Sequence, residues 1–177
     1  MISDASFTLT AQLCCVPSIK HVLTGPLSIK LFSRMFTATY SSDCVTDAAL
    51  DLYIKHPFMS HNMMSLAIRR SLIHRRLCIA RHLLAAADPV IRMQSLMYML
   101  LTRNKDGVEC VLPYMTIVAL CEMQVSPDCA RYRNLPLWQL VLDHITNSEI
   151  EYDPATDTID ADDPESSNDA IGSSASV

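Results

Sequence analysis

At 177 residues, half of them hydrophobic, the chain is long enough to bury one substantial core and too short for two independent ones. Its three glycines, Gly25, Gly107 and Gly172, cannot build a phosphate-cradling loop, and no nucleophile elbow, His-Glu-x-x-His or paired-carboxylate helix is present, so no enzyme, catalytic residue or cofactor is expected. The net charge of −5 hides an asymmetry: nine of the nineteen acidic residues lie from Glu149 onward with no Lys or Arg among them, which leaves residues 1–148 mildly basic.

Taken in chain order, residues 1–42 form a poorly defined N-terminal segment, with apolar residues scattered among Ser and Thr and breaks at Pro17, Gly25 and Pro26. Alternation over 7–13 predicts a short strand, and 29–36 a helix. Residues 47–55 make one helix, ended by Pro57. Ser60 then caps an apolar, arginine-rich stretch that runs to Ala87. Its hydrophobic residues do not hold to one face, so either two helices turn near Ser71 or one helix is buried on several sides. Asp88 and Pro89 restart the chain as an N-cap and first-turn proline, and Met93, Leu96, Met97, Leu100 and Leu101 follow as a buried stripe. Asp106 and Glu109 fit a capping box for the next helix.

Two short apolar helices come next. Pro113 in its first turn and Pro127 beyond its end bound the first, on which Ile117, Leu120, Cys121 and Val125 fall near one face. Asn134 caps the second, with Pro136 in its first turn and Leu137, Leu140, Val141 and Ile145 along one side. Cys121 fits a small buried hydrophobe or a compact interface residue, and Trp138 either an interface anchor or core. The acidic stretch 151–177, poor in large apolar residues, is expected to be disordered. The whole is expected to be an all-α, compact helical domain of about five to seven helices. Its parts are the N-terminal segment 1–42, a helical core 43–111 that holds a partner or protein substrate, the helical segment 112–150, and the tail.

Seven cysteines, an odd and scattered set without a Cys-x-x-Cys, fit an intracellular compartment, cytoplasmic or nuclear. His74, Cys78 and His82 stand at successive fours, but no fourth ligand accompanies them, so surface histidines are expected and no metal. Arginines interrupt the longest apolar run, so no membrane span is expected. Those arginines, Arg69, Arg70, Arg75, Arg76 and Arg81, are candidate phosphate contacts, but on a helix they do not form a stripe and no aromatic residues interleave them, so nucleic acid is a secondary expectation.

The offsets of Thr116, Ile117, Cys121 and Val125 (small, aliphatic, three residues, Cys, three residues, aliphatic) resemble the Elongin-C-binding box of the SOCS-box family. Fourteen residues after that Cys, Leu135, Pro136 and Leu137, followed by Val141, His144 and Ile145, resemble the family's cullin box. Ile117 stands where the family prefers Leu, Trp138 replaces a second Pro, and His144 the usual Tyr. The resemblance covers residues 112–150. It implies Elongin B/C and a cullin as partners and a role as substrate adaptor of a ubiquitin ligase. Upstream, Ser65 to Arg70 and Ile79 to Pro89 faintly resemble an ankyrin repeat, although the turn glycine is missing and no second copy at a fixed period is visible. Two further expectations stand beside the adaptor: a small helical regulator that binds a partner helix in a groove, and a nucleic-acid binder through the arginines.

Overall fold

Residues 4–151 are described by the computed structural model, and within them the chain is all-α, with eleven α-helices and no strand. The tail expected to be disordered lies outside the described residues, Glu151 apart. The helices are shorter and more numerous than the five to seven expected. Much of the reason lies in how three of them end. A helix usually stops on a glycine in the left-handed region, but here Cys14 (φ 51°), Arg75 (φ 57°) and Arg103 (φ 55°) occupy it. At Arg75 the amide donates to Leu72 O and the next amide, Arg76 N, to Ser71 O; at Arg103 the amide donates to Leu100 O, and Asn104 N to Met99 O. These paired bonds satisfy carbonyls that the helix end would leave open, offsetting a left-handed strain of about 1–2 kcal/mol per non-glycine residue.

The expected strand over 7–13 is instead α1 (Asp4–Gln12). Phe7, Ala11 and Cys14 turn to one side and are covered, whereas a strand would have buried Leu9 and Leu13, which stand 56% and 66% exposed. The hydroxyls of Thr39 and Ser42 donate to Ala11 O and Gln12 O and fasten the end of α1 to α3 (Ile29–Ser41), which runs beyond the expected 29–36. Between them lies α2 (Val16–Leu23). Phe32 and Phe36 on α3 pack against Tyr53 of α4 (Asp47–Ile54), and Phe32 stacks on His56, its ring centroid 4.7 Å away.

The long stretch after Ser60 is two helices, α5 (His61–Ile73) and α6 (Leu77–Ala86), turning at 74–76. Asp88 caps α7 (Pro89–Leu101), its carboxylate accepting from Ile91 N at 2.8 Å. The cap of α8 (Lys105–Val111) is Asn104, which accepts from Gly107 N, and the expected capping box is not used: Glu109 reaches back to Lys105. Asn104 also donates to Leu72 O, joining this turn to the preceding one.

Helices α1/α2, α3/α4, α5/α6 and α7/α8 are therefore four antiparallel pairs stacked in two layers, with α1, α3, α5 and α7 packed in series and α2, α4, α6 and α8 alongside. From Ser60 the stack has a regular step. The N-caps Ser60, Asp88 and Thr116 are 28 residues apart, as are the left-handed Arg75 and Arg103. Burial follows the step: Ile68 and Leu96, Leu72 and Leu100, Ala80 and Val108, Leu83 and Val111 are all inaccessible. The chain closes with α9 (Ile117–Val125), α10 (Ala130–Arg133) and α11 (Trp138–Glu151).

Candidate docking face on helix α9

Thr116 caps α9, its hydroxyl accepting from Ala119 N at 3.2 Å. Pro113, expected inside this helix, belongs to a separate 3-10 turn, Leu112–Tyr114, because Thr116 provides the stronger start three residues later. That turn is held by Arg92 of α7, which donates to the carbonyls of Leu84, Ala85 and Tyr114 and so ties the end of α6 to the entry of α9. No sequence motif marks Arg92. The one available signal is a cation inside an otherwise apolar helix.

On α9 the core side is Leu120 and Met123, both buried. Ile117 and Cys121 are half-buried and packed against the core, while Val118 is 69% and Val125 77% exposed. At 3.6 residues per turn, Ile117, Cys121, Val125 and Val118 span an arc of about 100°. They form one apolar ridge that runs from the edge of the core into solvent. Three of these residues carry the expected spacing, and Val118 joins them from the structure alone. Leu120, also expected at the partner surface, faces inward.

The second half of the expected surface is arranged differently. Asn134 ends α10 instead of capping the next helix, and Leu135, Pro136 and Leu137 form the turn before α11. Leu135 N donates to Tyr132 O and Trp138 N to Leu135 O, bonds that Pro136 and Leu137 do not need to supply. Pro136 is exposed, with Leu135 and Leu137 half-buried. Trp138, Val141 and Ile145 are buried, with α11 packed on α9. Trp138 is thus core. Val141 and Ile145, expected to meet a partner, are instead on the inner face of α11, since spacings of three and four put them on one side with the buried Trp138.

The five arginines do not share one surface, and only Arg70 and Arg76 border a common cleft. Arg69 lies over the Tyr98 ring at 5.0 Å, Arg70 donates to the Tyr40 hydroxyl, and Arg75 pairs with Asp106. Arg76 pairs with Asp43 at 2.6 Å and donates to the carbonyls of Tyr40 and Ser42, and Arg81 stands on α6, beyond the turn. The turn at 74–76 also separates His74 from Cys78 and His82. His82 is engaged elsewhere, its Nε2 2.8 Å from Asp51 Oδ1, which holds the Asp51 carboxyl below the usual carboxylate range. Among the described residues no group of three or more His, Cys, Asp or Glu stands where it could hold a metal ion, and no helix is long and apolar enough to cross a membrane.

Compared with known proteins, the chain matches no family model, no curated protein and no solved structure.

Proposed function

We propose that the chain is a substrate-recruiting adaptor of a cullin-RING ubiquitin ligase, docking on Elongin B/C through α9. The observation that carries this reading is the outward ridge of Ile117, Val118, Cys121 and Val125, which keeps a partner-sized apolar face available on the helix that resembles the Elongin-C-binding box. The stacked pairs from α1 to α8 supply the extended surface on which a protein substrate would be held. A cullin would meet the turn at Leu135, Pro136 and Leu137, since the inner side of α11 is already occupied. A groove-binding regulator without a ligase role would use the same ridge, so the cullin is what separates the two. The arginine positions favour neither a nucleic-acid groove nor a stripe.

Purified Elongin B/C, with and without a cullin, tests the proposal in a pulldown by the full chain. Capture is expected, with loss on Val125→Asp and on Cys121→Phe while circular dichroism stays unchanged. Failure of the wild-type chain to retain Elongin B/C overturns the adaptor reading. Retention of Elongin without any cullin removes the ligase step.

A further inference from the structure

The turn between α5 and α6 borders an open cleft of about 450 Å³, lined by Tyr40, Ser41, Arg70, Ser71, His74 and Arg76. Its side chains are donors. Arg70 offers a guanidinium whose only bond among the described residues is a long one, 3.4 Å, to the Tyr40 hydroxyl, and which pairs with no carboxylate there. The Tyr40 hydroxyl accepts that bond and keeps its own proton to give. Ser71 is 1% exposed, yet among the described residues its hydroxyl has no partner, a position that ordinarily costs about 1–3 kcal/mol. His74 and the guanidinium of Arg76 complete the wall, Arg76 being held in place by Asp43 and two backbone carbonyls. Among the described residues no acidic side chain lines the cleft.

We infer that this cleft binds a phosphate monoester carried on a side chain of a protein partner. A fork of guanidinium donors beside two hydroxyls and an imidazole suits a group with three terminal oxygens and a double negative charge better than it suits a carboxylate. The surroundings indicate a peptide. Leu66 and Ile73, four residues before and three after Arg70 on α5, share its face and stand 48% and 46% exposed. A free phosphate has no use for them, whereas aliphatic residues flanking a phosphoserine would cover them. The inference is independent of what α9 docks.

Fluorescence anisotropy with the full chain tests it, using a labelled phosphoserine peptide with leucines on both sides, its unphosphorylated twin, free O-phospho-L-serine as competitor, and a labelled oligo-dT. The phosphopeptide is expected to bind at least tenfold more tightly than its twin. Arg70→Glu should abolish the difference, Tyr40→Phe and Ser71→Ala should weaken binding several-fold, and Arg75→Glu, outside the cleft and on the same turn, should change it less than twofold. Circular dichroism confirms that each variant is folded. Competition by free O-phospho-L-serine at the peptide's own affinity assigns the site to a small phosphate monoester and overturns the protein partner. No gain from phosphorylation, an equal loss on Arg75→Glu, or oligo-dT binding that is as tight and as sensitive to Arg70→Glu overturns the inference.

Discussion

Gly107→Ala sets two effects of similar size against each other, and the packing decides the sign. In an exposed helix the change is stabilising by about 0.8–1 kcal/mol, because alanine has fewer unfolded conformations to lose. In α8 the new Cβ would stand 2.5 Å from Met99 Sδ, 2.9 Å from Met99 Cγ and 3.1 Å from Asn104 Cγ. Met99 is fully buried, so its thioether must move about 1 Å to reach ordinary contact near 3.6 Å, into neighbours already packed. Overpacking of this kind costs about 1–3 kcal/mol, and the Asn104 cap that bonds Gly107 N is strained with it. The net expectation is a loss of about 1 kcal/mol, or a Tm lower by about 2–4 °C. Met99→Ala alone costs about 2–5 kcal/mol through the cavity it leaves, but in that background Gly107→Ala should regain about 1 kcal/mol. Urea denaturation of the four proteins closes a double-mutant cycle, with a coupling of about 2 kcal/mol and a change of sign. A stabilising Gly107→Ala in the wild-type background, or a coupling below about 0.5 kcal/mol, would refute the packing of α7 on α8.

Other groups give cheaper tests. Burial pushes the Tyr53 phenol up to about 12, against a weaker opposing hydrogen bond from Thr39. Its contribution is present below the unfolded value near 10 and is lost as pH rises from 10 to 12, with a limit of about 2–3 kcal/mol. An ultraviolet titration should show one tyrosine ionising late, absent in Tyr53→Phe; ionisation of all tyrosines together would contradict its burial. Asp51 is the opposite case. Held low chiefly by His82, with Lys55 assisting, it contributes above the ordinary carboxylate value and that contribution is lost as pH falls through its own. The effect on stability is small because Asp51 is solvent-screened, but His82→Ala should return its carboxyl signal in an NMR titration toward the ordinary range. Cys15, Cys44 and Cys78 are all exposed, and the Ser18 hydroxyl, 3.2 Å from Cys15 Sγ, lowers the Cys15 thiol. Iodoacetamide should alkylate Cys15 first, and Ser18→Ala should remove its lead.

Two helix starts were legible because capping chemistry is local: Ser60 and Asp88 each place a hydroxyl or carboxylate oxygen on an amide three residues on, and such an oxygen is visible in the sequence. Thr116 does the same, three residues after the Pro113 expected in the first turn of its helix. The helix ends were not, because Cys14, Arg75 and Arg103 take a conformation that the sequence advertises only when glycine occupies it. The repeat was hidden for a related reason. Equivalent positions keep their burial but not their chemistry, as with Ala67, Ser95 and Met123, so a fixed period exists in the packing without self-similarity in the letters. On the candidate site, spacing alone placed Ile117, Cys121 and Val125 on one face of α9. It could not distinguish an inner from an outer face on α11, where Val141 and Ile145 obey the same periodicity and are core.

The 28-residue step also explains why α9 has an apolar face to spare. Val118 stands one step after Val90, and both are exposed, so the outward part of the ridge at Val118 is common to that position of the step. Val125 is different. One and two steps earlier its place is held by Met97, which is half-buried, and by Arg69, whose guanidinium is covered by Tyr98 of the following pair. After α9 the pattern fails, because Pro127 stops the helix a turn early, α10 is only Ala130–Arg133, and the next helix packed on α9 is α11. Among the described residues nothing then covers Val125, and a position that is half-buried in both earlier units is left open at 77% exposure. The ridge is thus an open end of the stack, and a face of this kind has room for another helix laid along it. A partner that docks on Ile117, Cys121 and Val125 would take the place of the missing unit, which is why Val125→Asp should abolish capture at almost no cost to the fold.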